Sequence, residues 1–159
     1  MLFEEHIVSF VKILIRALKT LRPVGDLLAR AWIAKVFFQS GLTKIASWQT
    51  TVMLFSTQYQ VPFLQPEVAA YLGTAAELIL PILLLVGLGG RIMILIFFLY
   101  NIICVISYNF LWTPQGTMGL DQHICWGLLL AMLMFHGPGK ISLDYLFLKR
   151  YYTADELYY

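Results

Sequence analysis

Glu77 is the residue whose position most invites a chemical reading. It stands inside a long apolar run, about residues 67–88, where a carboxylate would have little water around it. Two other apolar runs carry similar intrusions, Lys35 within about 26–46 and Asn101 within about 91–112. Lys35 is about nine residues into its run, and Glu77 and Asn101 about ten into theirs, so at ~1.5 Å per residue all three fall near the middle of a membrane-crossing helix. An ionisable side chain at that depth is costly and marks a functional site by default. An unpartnered buried charge would cost several kcal/mol or neutralise itself, so a network is expected. Lys35, Gln39, Thr74, Glu77 and Asn101 are its candidate members, with Glu77 as a proton donor or acceptor. The plainer alternative is that such hydrogen bonds only fix helix register, with Lys35 reaching toward the nearer surface.

A second group opens a fourth apolar run, about residues 119–136. It comprises Asp121, His123, Cys125 and Trp126, and Cys104 of the third run comes out at a similar depth. Cys104, His123 and Cys125 are candidates for thiol redox or soft-metal chemistry. The favoured reading is that each cysteine is a small buried hydrophobe, because no CxxC or His–Cys spacing supports a site, and no metal is assigned. His123 is also a candidate proton carrier, and Tyr108 and Trp126 are candidate walls for a flat ring. His123 and His136 sit near opposite ends of one run and cannot ligate one haem iron. No phosphate loop, Ser-His-Asp set or nucleic-acid surface is visible.

The elements that must position these groups follow from composition. The chain has 159 residues, 60% hydrophobic and 13% charged, with a mean hydropathy of +0.75. A soluble domain has roughly 25% charged residues, and a small fold has too little interior for this much apolar surface. Each of the four runs approaches or reaches the ~20 residues that span a bilayer. Gly87-Leu88-Gly89-Gly90 and Thr113-Pro114-Gln115-Gly116 are too short and too turn-rich for anything but breaks between neighbouring helices. In lipid the backbone must satisfy its own polar groups. The expected fold is therefore all-α, an integral membrane antiparallel four-helix bundle over residues 26–137. An amphipathic helix over 1–25 is expected to lie on the cytoplasmic surface, with a cytoplasmic tail over 138–159. In the first of these, Glu5, Lys12, Arg16 and Lys19 share one helical face and Ile7, Val8, Phe10, Val11, Leu14, Ile15 and Leu18 cover the rest; packing on a partner protein is the alternative. Trp48, Val52, Phe55 and Tyr59 recur at helical spacing before Pro62 and Pro66, which predicts a short interfacial helix in the outer loop.

Lys12, Arg16, Lys19, Arg22 and Arg30, then Arg91, then Lys140, Lys149 and Arg150 cluster on one side of the spans, against Lys44 alone on the other. This asymmetry puts both termini in the cytoplasm. The first residues include Glu4 and Glu5, and no small-residue cleavage site follows a short apolar core, so insertion through the chain's own spans is expected.

The strings Arg30-Ala31-Trp32-Ile33-Ala34 and Phe37-Phe38-Gln39-Ser40-Gly41-Leu42-Thr43-Lys44 resemble the opening of the DoxX family of small bacterial membrane proteins. Glu77-Leu78, Pro81, Gly87-Leu88 and Arg91 resemble its second span and turn. His136-Gly137-Pro138-Gly139-Lys140-Ile141-Ser142-Leu143-Asp144 is similar to its terminus. Trp48, Thr51, Leu54-Phe55, Tyr59, Val61-Pro62 and Ala69-Ala70 look like one branch. The match covers roughly residues 30–144. Lys35 stands where the family pattern is apolar, and Gln58 stands where an acidic residue is common. The resemblance implies a four-helix bundle in the bacterial inner membrane, with relatives that resemble a thiosulfate:quinone oxidoreductase subunit or stress accessory proteins.

Two functions are expected on these grounds. The leading one is an accessory or anchoring protein for a stress-related or redox partner, held by the basic N-terminal helix, the aromatic outer loop or the Tyr-rich tail. The alternative is a membrane subunit of a quinone-linked oxidoreductase, in which Glu77 or His123 supplies protons and a partner supplies electrons, since no flavin, haem or iron–sulfur motif is evident. Quinone is the candidate cofactor. The lipid bilayer and a protein partner or second copy are the candidate partners, and nucleic acid is not.

Overall fold

The computed structural model describes residues 2–137 and 139–149, with side chains from residue 5 onward. Pro138 and most of the Tyr-rich tail, with Arg150, lie outside the described residues. The described chain is helical throughout: α1 Leu2–Ala46, α2 Trp48–Thr57, α3 Pro66–Val86, α4 Gly90–Ser107, α5 Thr117–His136 and α6 Leu143–Leu148, with a 3-10 turn at Asn109–Trp112.

The helix limits follow local chemistry. Pro66 opens α3 behind an extended Gln65, where its missing N–H and fixed φ fit a first helical position. At the other end Gly87 takes φ +69°. Its N–H reaches the Leu84 carbonyl at 3.2 Å while Leu88 N–H reaches Leu83 at 3.0 Å, a Schellman closure that needs a left-handed residue. Gly89 follows at φ +89°, and α4 starts at the next residue. The third run, read as about 91–112, divides: α4 stops at Ser107 and the rest forms the 3-10 turn. The helical spacing seen after Trp48 corresponds to α2.

α1 differs most from expectation. A boundary near residue 25 was expected between a surface helix and the first span, yet α1 runs through Pro23 as one helix of 45 residues. Three helices, α3, α4 and α5, are long and apolar enough to cross a membrane. α1 is not among them, because its second half carries Arg30, Lys35 and Lys44.

That second half nevertheless packs with the apolar helices. Ile33 and Phe37 of α1, Leu84 of α3, Met93, Ile94 and Phe97 of α4, and Leu130 and Leu133 of α5 form one buried cluster. A smaller cluster of Phe55, Ala69 and Ala70 seats α2 on α3. The outward faces of the spans are apolar, with Ile79, Ile82, Ile92, Leu99, Leu128 and Phe135 all exposed. A surface of that kind belongs in hydrocarbon, and the chain is a membrane protein.

Arg30 ties the far end together. It is fully buried, at 0% exposure. Its Nη2 donates to the Ile141 carbonyl, its Nη1 to Leu85 at 3.4 Å and its Nε to Asp26 at 3.4 Å. The segment after α5 thereby folds back under the α3–α4 turn. There Asp144 accepts from Gly89 N–H at 3.2 Å and its own N–H reaches the Gly87 carbonyl at 3.1 Å.

Candidate functional site

Gly41 sets the register from which the site is built. A Cβ at this position would stand 2.9 Å from Leu78 Cδ2 and 3.2 Å from the Glu77 carbonyl carbon, so α1 and α3 approach closely where only glycine fits. Lys44 is three residues further along α1 and shares that face. Its Nζ lies 2.6 Å from Glu77 Oε2 and 2.9 Å from Ser40 Oγ. From α4, Tyr100 brings its hydroxyl to 3.2 Å from Glu77 Oε1 and 3.1 Å from the Gly73 carbonyl. Glu77, 5% exposed, is thus held by an ammonium on one oxygen and a phenol on the other. Charge-assisted bonds of this kind are what allow a carboxylate to sit away from water.

A second polar unit joins α4 to α5. Asn101 Nδ2 donates to the His123 carbonyl at 3.0 Å, which leaves Asn101 Oδ1 as the acceptor facing His123 Nδ1 at 2.8 Å. That pairing puts a proton on Nδ1; in the neutral ring Nε2 is then the acceptor. Gly127 makes room for it, since a Cβ there would lie 3.2 Å from Asn101 Nδ2. The His123 ring packs edge-on to Trp126, with centroids 4.8 Å apart.

Between these two units lies a cavity of about 540 Å³. Glu77, Lys44 and Tyr100 line one part of it and His123 and Trp126 another, with Phe37 between. Cys104, Ser107 and Tyr108 continue the α4 wall. The loop after α2 closes the end of the cavity beside Tyr108. Tyr59 pairs its backbone with Tyr108, stacks edge-on to that ring at 4.7 Å, and is followed by Gln60, whose N–H reaches the Ser107 carbonyl at 2.7 Å. Burial first, then the nearby Tyr108, pushes the Tyr59 phenol up to about 12, so it stays a neutral wall. Ser107 Oγ is buried and has no hydrogen-bond partner.

Of the residues singled out from sequence, Glu77, His123, Cys104, Tyr108 and Trp126 all line this cavity. The others are elsewhere. Lys35 and Gln39 are exposed on α1, and Glu77 takes Lys44 instead of Lys35. Asn101 is buried and bonded to His123, not to Glu77. Thr74 is buried, but its hydroxyl has no partner. Cys125 is exposed on α5 while Cys104 faces inward, and both are free thiols. Among the described residues no three His, Cys, Asp or Glu side chains gather as they would around a metal. Lys44, Tyr100 and Ser107 are among the cavity residues that the sequence pattern does not assign to the site. Lys44 is the lone cation on its side of the spans, and Tyr100 and Ser107 stand one turn before and one turn after Cys104, on the same α4 face.

Comparison with curated proteins and with solved structures finds no match. The DoxX family model matches residues 25–109, more than half of the chain, from the second half of α1 through α4 and including both Lys44 and Glu77. The protein is therefore a member of the DoxX family.

Proposed function

We propose that this DoxX protein binds a small lipophilic molecule bearing hydrogen-bond acceptors inside an antiparallel bundle of four spans, α1 supplying the fourth, and that a quinone head group is the class that fits. The observation that carries this reading is the cavity itself, an apolar space of about 540 Å³ with a few convergent polar groups. Ligand sites have volumes of about 300–1,000 Å³ and that composition. The orphan Ser107 Oγ and the third N–H of Lys44, whose other two face Glu77 and Ser40, are donors suited to carbonyl oxygens. Trp126, Phe37 and Tyr108 give flat faces for a ring. A quinone, when bound, would supply two-electron chemistry that consumes protons. Glu77 and His123 are the groups at the cavity able to hold or pass them, and electrons would come from a partner protein, making this chain a membrane subunit of an oxidoreductase. The cationic flanks support a reading with both termini in the cytoplasm, and the family resemblance supports a bacterial inner membrane as the setting.

The test is a solvent extract of protein purified from native membranes, with Glu77→Gln prepared alongside. The expected result is quinone at near-equal molar amount with the wild type and a marked loss from the variant. Quinone no higher than in empty micelles would overturn the reading.

A second reading has its own observation. Apolar residues of α1 before Pro23, among them Ile7, Phe10, Ile13, Leu18 and Leu21, are exposed and share their helix with Lys12, Arg16 and Lys19. Such a helix suits a membrane surface or a partner's groove, and an anchoring role would rest on it. A polypeptide that co-purifies with the full chain and is lost with Lys12→Glu/Arg16→Glu would support it.

A further inference from the structure

A second cavity, of about 290 Å³, lies where α5 ends, and it shares no lining residue with the first. Lys19, Arg22 and Asp26 of α1 face it, with His136 at the end of α5 and Lys140 beyond. Positions 19, 22 and 26 are three and four apart, so they share one helix face. Three cations thus surround one carboxylate. Asp26 is buried and its Oδ2 stands 3.9 Å from Arg22 Nε, which holds that guanidinium at the cavity wall.

Two further observations narrow the occupant. His136 is the last residue of α5, a helix long and apolar enough to cross a bilayer. The cavity therefore sits where the span leaves hydrocarbon, at head-group depth. Exposed apolar side chains flank it in sequence on both sides: Leu18, Leu21 and Val24 on α1, Phe135 on α5 and Ile141 beyond. An anion alone would match the cations but not this apolar rim. A molecule with a phosphate head and hydrocarbon tails matches both, and basic pockets between spans are suited to such heads.

We propose that this cavity binds the phosphate head group of an anionic phospholipid from the surrounding bilayer. Asp26 positions Arg22, while Lys19, Arg22 and Lys140 neutralise the phosphate. The lipid would pin the middle of α1 to the end of α5 at the point where α1 leaves the bundle core. This does not rest on the quinone reading, because the two cavities are separate.

Native mass spectrometry of the full chain in detergent, with phosphatidylglycerol or phosphatidylcholine added, tests it. The wild type should retain phosphatidylglycerol in preference. Lys19→Gln/Arg22→Gln should weaken that retention about thirtyfold, the effect of removing two cations near a lipid head group. Lys12→Gln/Arg16→Gln, on the same helix outside the cavity, should change it little. Arg22→Lys alone should keep most of the preference and guards against a misfolded double variant. Equal retention of the two lipids, or equal loss in both double variants, would overturn the proposal. So would inorganic phosphate that displaces the lipid at low millimolar levels and raises the melting temperature as much, since the ligand would then be a free anion.

Discussion

Lys44 and Glu77 meet at 2.6 Å because Gly41, one helical turn before Lys44, presents no side chain to Leu78. The ion pair is a consequence of helix approach, and its two partners come from helices of different kinds. α3 is apolar enough to cross the membrane alone. The second half of α1 carries three cations, of which Arg30 is buried and Lys44 is paired.

Filling Gly41 should therefore break more than packing. In Gly41→Val the added methyl groups must displace Leu78 and the α3 backbone. Overpacking of this kind costs about 1–3 kcal/mol, and the separation of α1 from α3 should also part Lys44 from Glu77. A melting curve in detergent gives the stability. Retained wild-type stability would mean that α1 and α3 are not held in this register.

The pair itself should behave as a coupled unit. Lys44→Met leaves Glu77 buried without its cation and is expected to destabilise by about 3–5 kcal/mol. Lys44→Met/Glu77→Gln, which removes both charges, should recover a large part of that loss. A double-mutant cycle on thermal or denaturant unfolding measures the coupling. Additive single effects would show that the two side chains do not depend on each other.

Much of this arrangement was legible beforehand, and the reasons for the rest are physical. The apolar runs gave α3, α4 and α5 because length and hydropathy alone decide whether a helix suits a bilayer. The glycines at 87, 89 and 90 marked the tight connection because a left-handed backbone needs them. Counting residues from the ends of the runs matches Lys35 to Glu77. Counting assumes that α1 begins at residue 26, whereas α1 is one continuous helix whose register against α3 is set at Gly41. That contact brings Lys44 to Glu77 and leaves Lys35 outside. Depth alone makes Asn101 a partner of Glu77, but depth says nothing of rotation about the helix, and Asn101 faces α5. Arg30 looked like one more flanking charge. Its burial depends on the carbonyl of Ile141, 111 residues away, which no local pattern encodes.

The Asn101–His123 unit should hold α4 to α5. Asn101→Leu removes the Nδ1 partner of His123 and leaves a backbone carbonyl short of its side-chain donor, at a cost of about 1–3 kcal/mol. Proton-detected NMR of the imidazole should also show the wild-type Nδ1–H form giving way to a tautomer mixture. An unchanged ring spectrum would contradict the pairing.

Ser107 separates stability from binding. Its hydroxyl is buried without a partner, so Ser107→Ala should leave stability unchanged or raise it by up to about 1 kcal/mol. The same change should weaken binding of a short-chain quinone about three- to tenfold, the effect of one neutral hydrogen bond. Lower stability with unchanged binding would assign the hydroxyl to the fold instead.

The central claim is that the cavity between Glu77 and His123 receives a quinone-like ring. Fluorescence of Trp126, in a variant with Trp32, Trp48 and Trp112 replaced by phenylalanine, reads this directly, because Trp126 lines that cavity. Titration with a short-chain ubiquinone analogue should give saturable quenching, with the midpoint moved to higher concentration by Ser107→Ala and by Glu77→Gln. Quenching that rises in proportion to quinone in the micelle, and is the same in all three proteins, would contradict it.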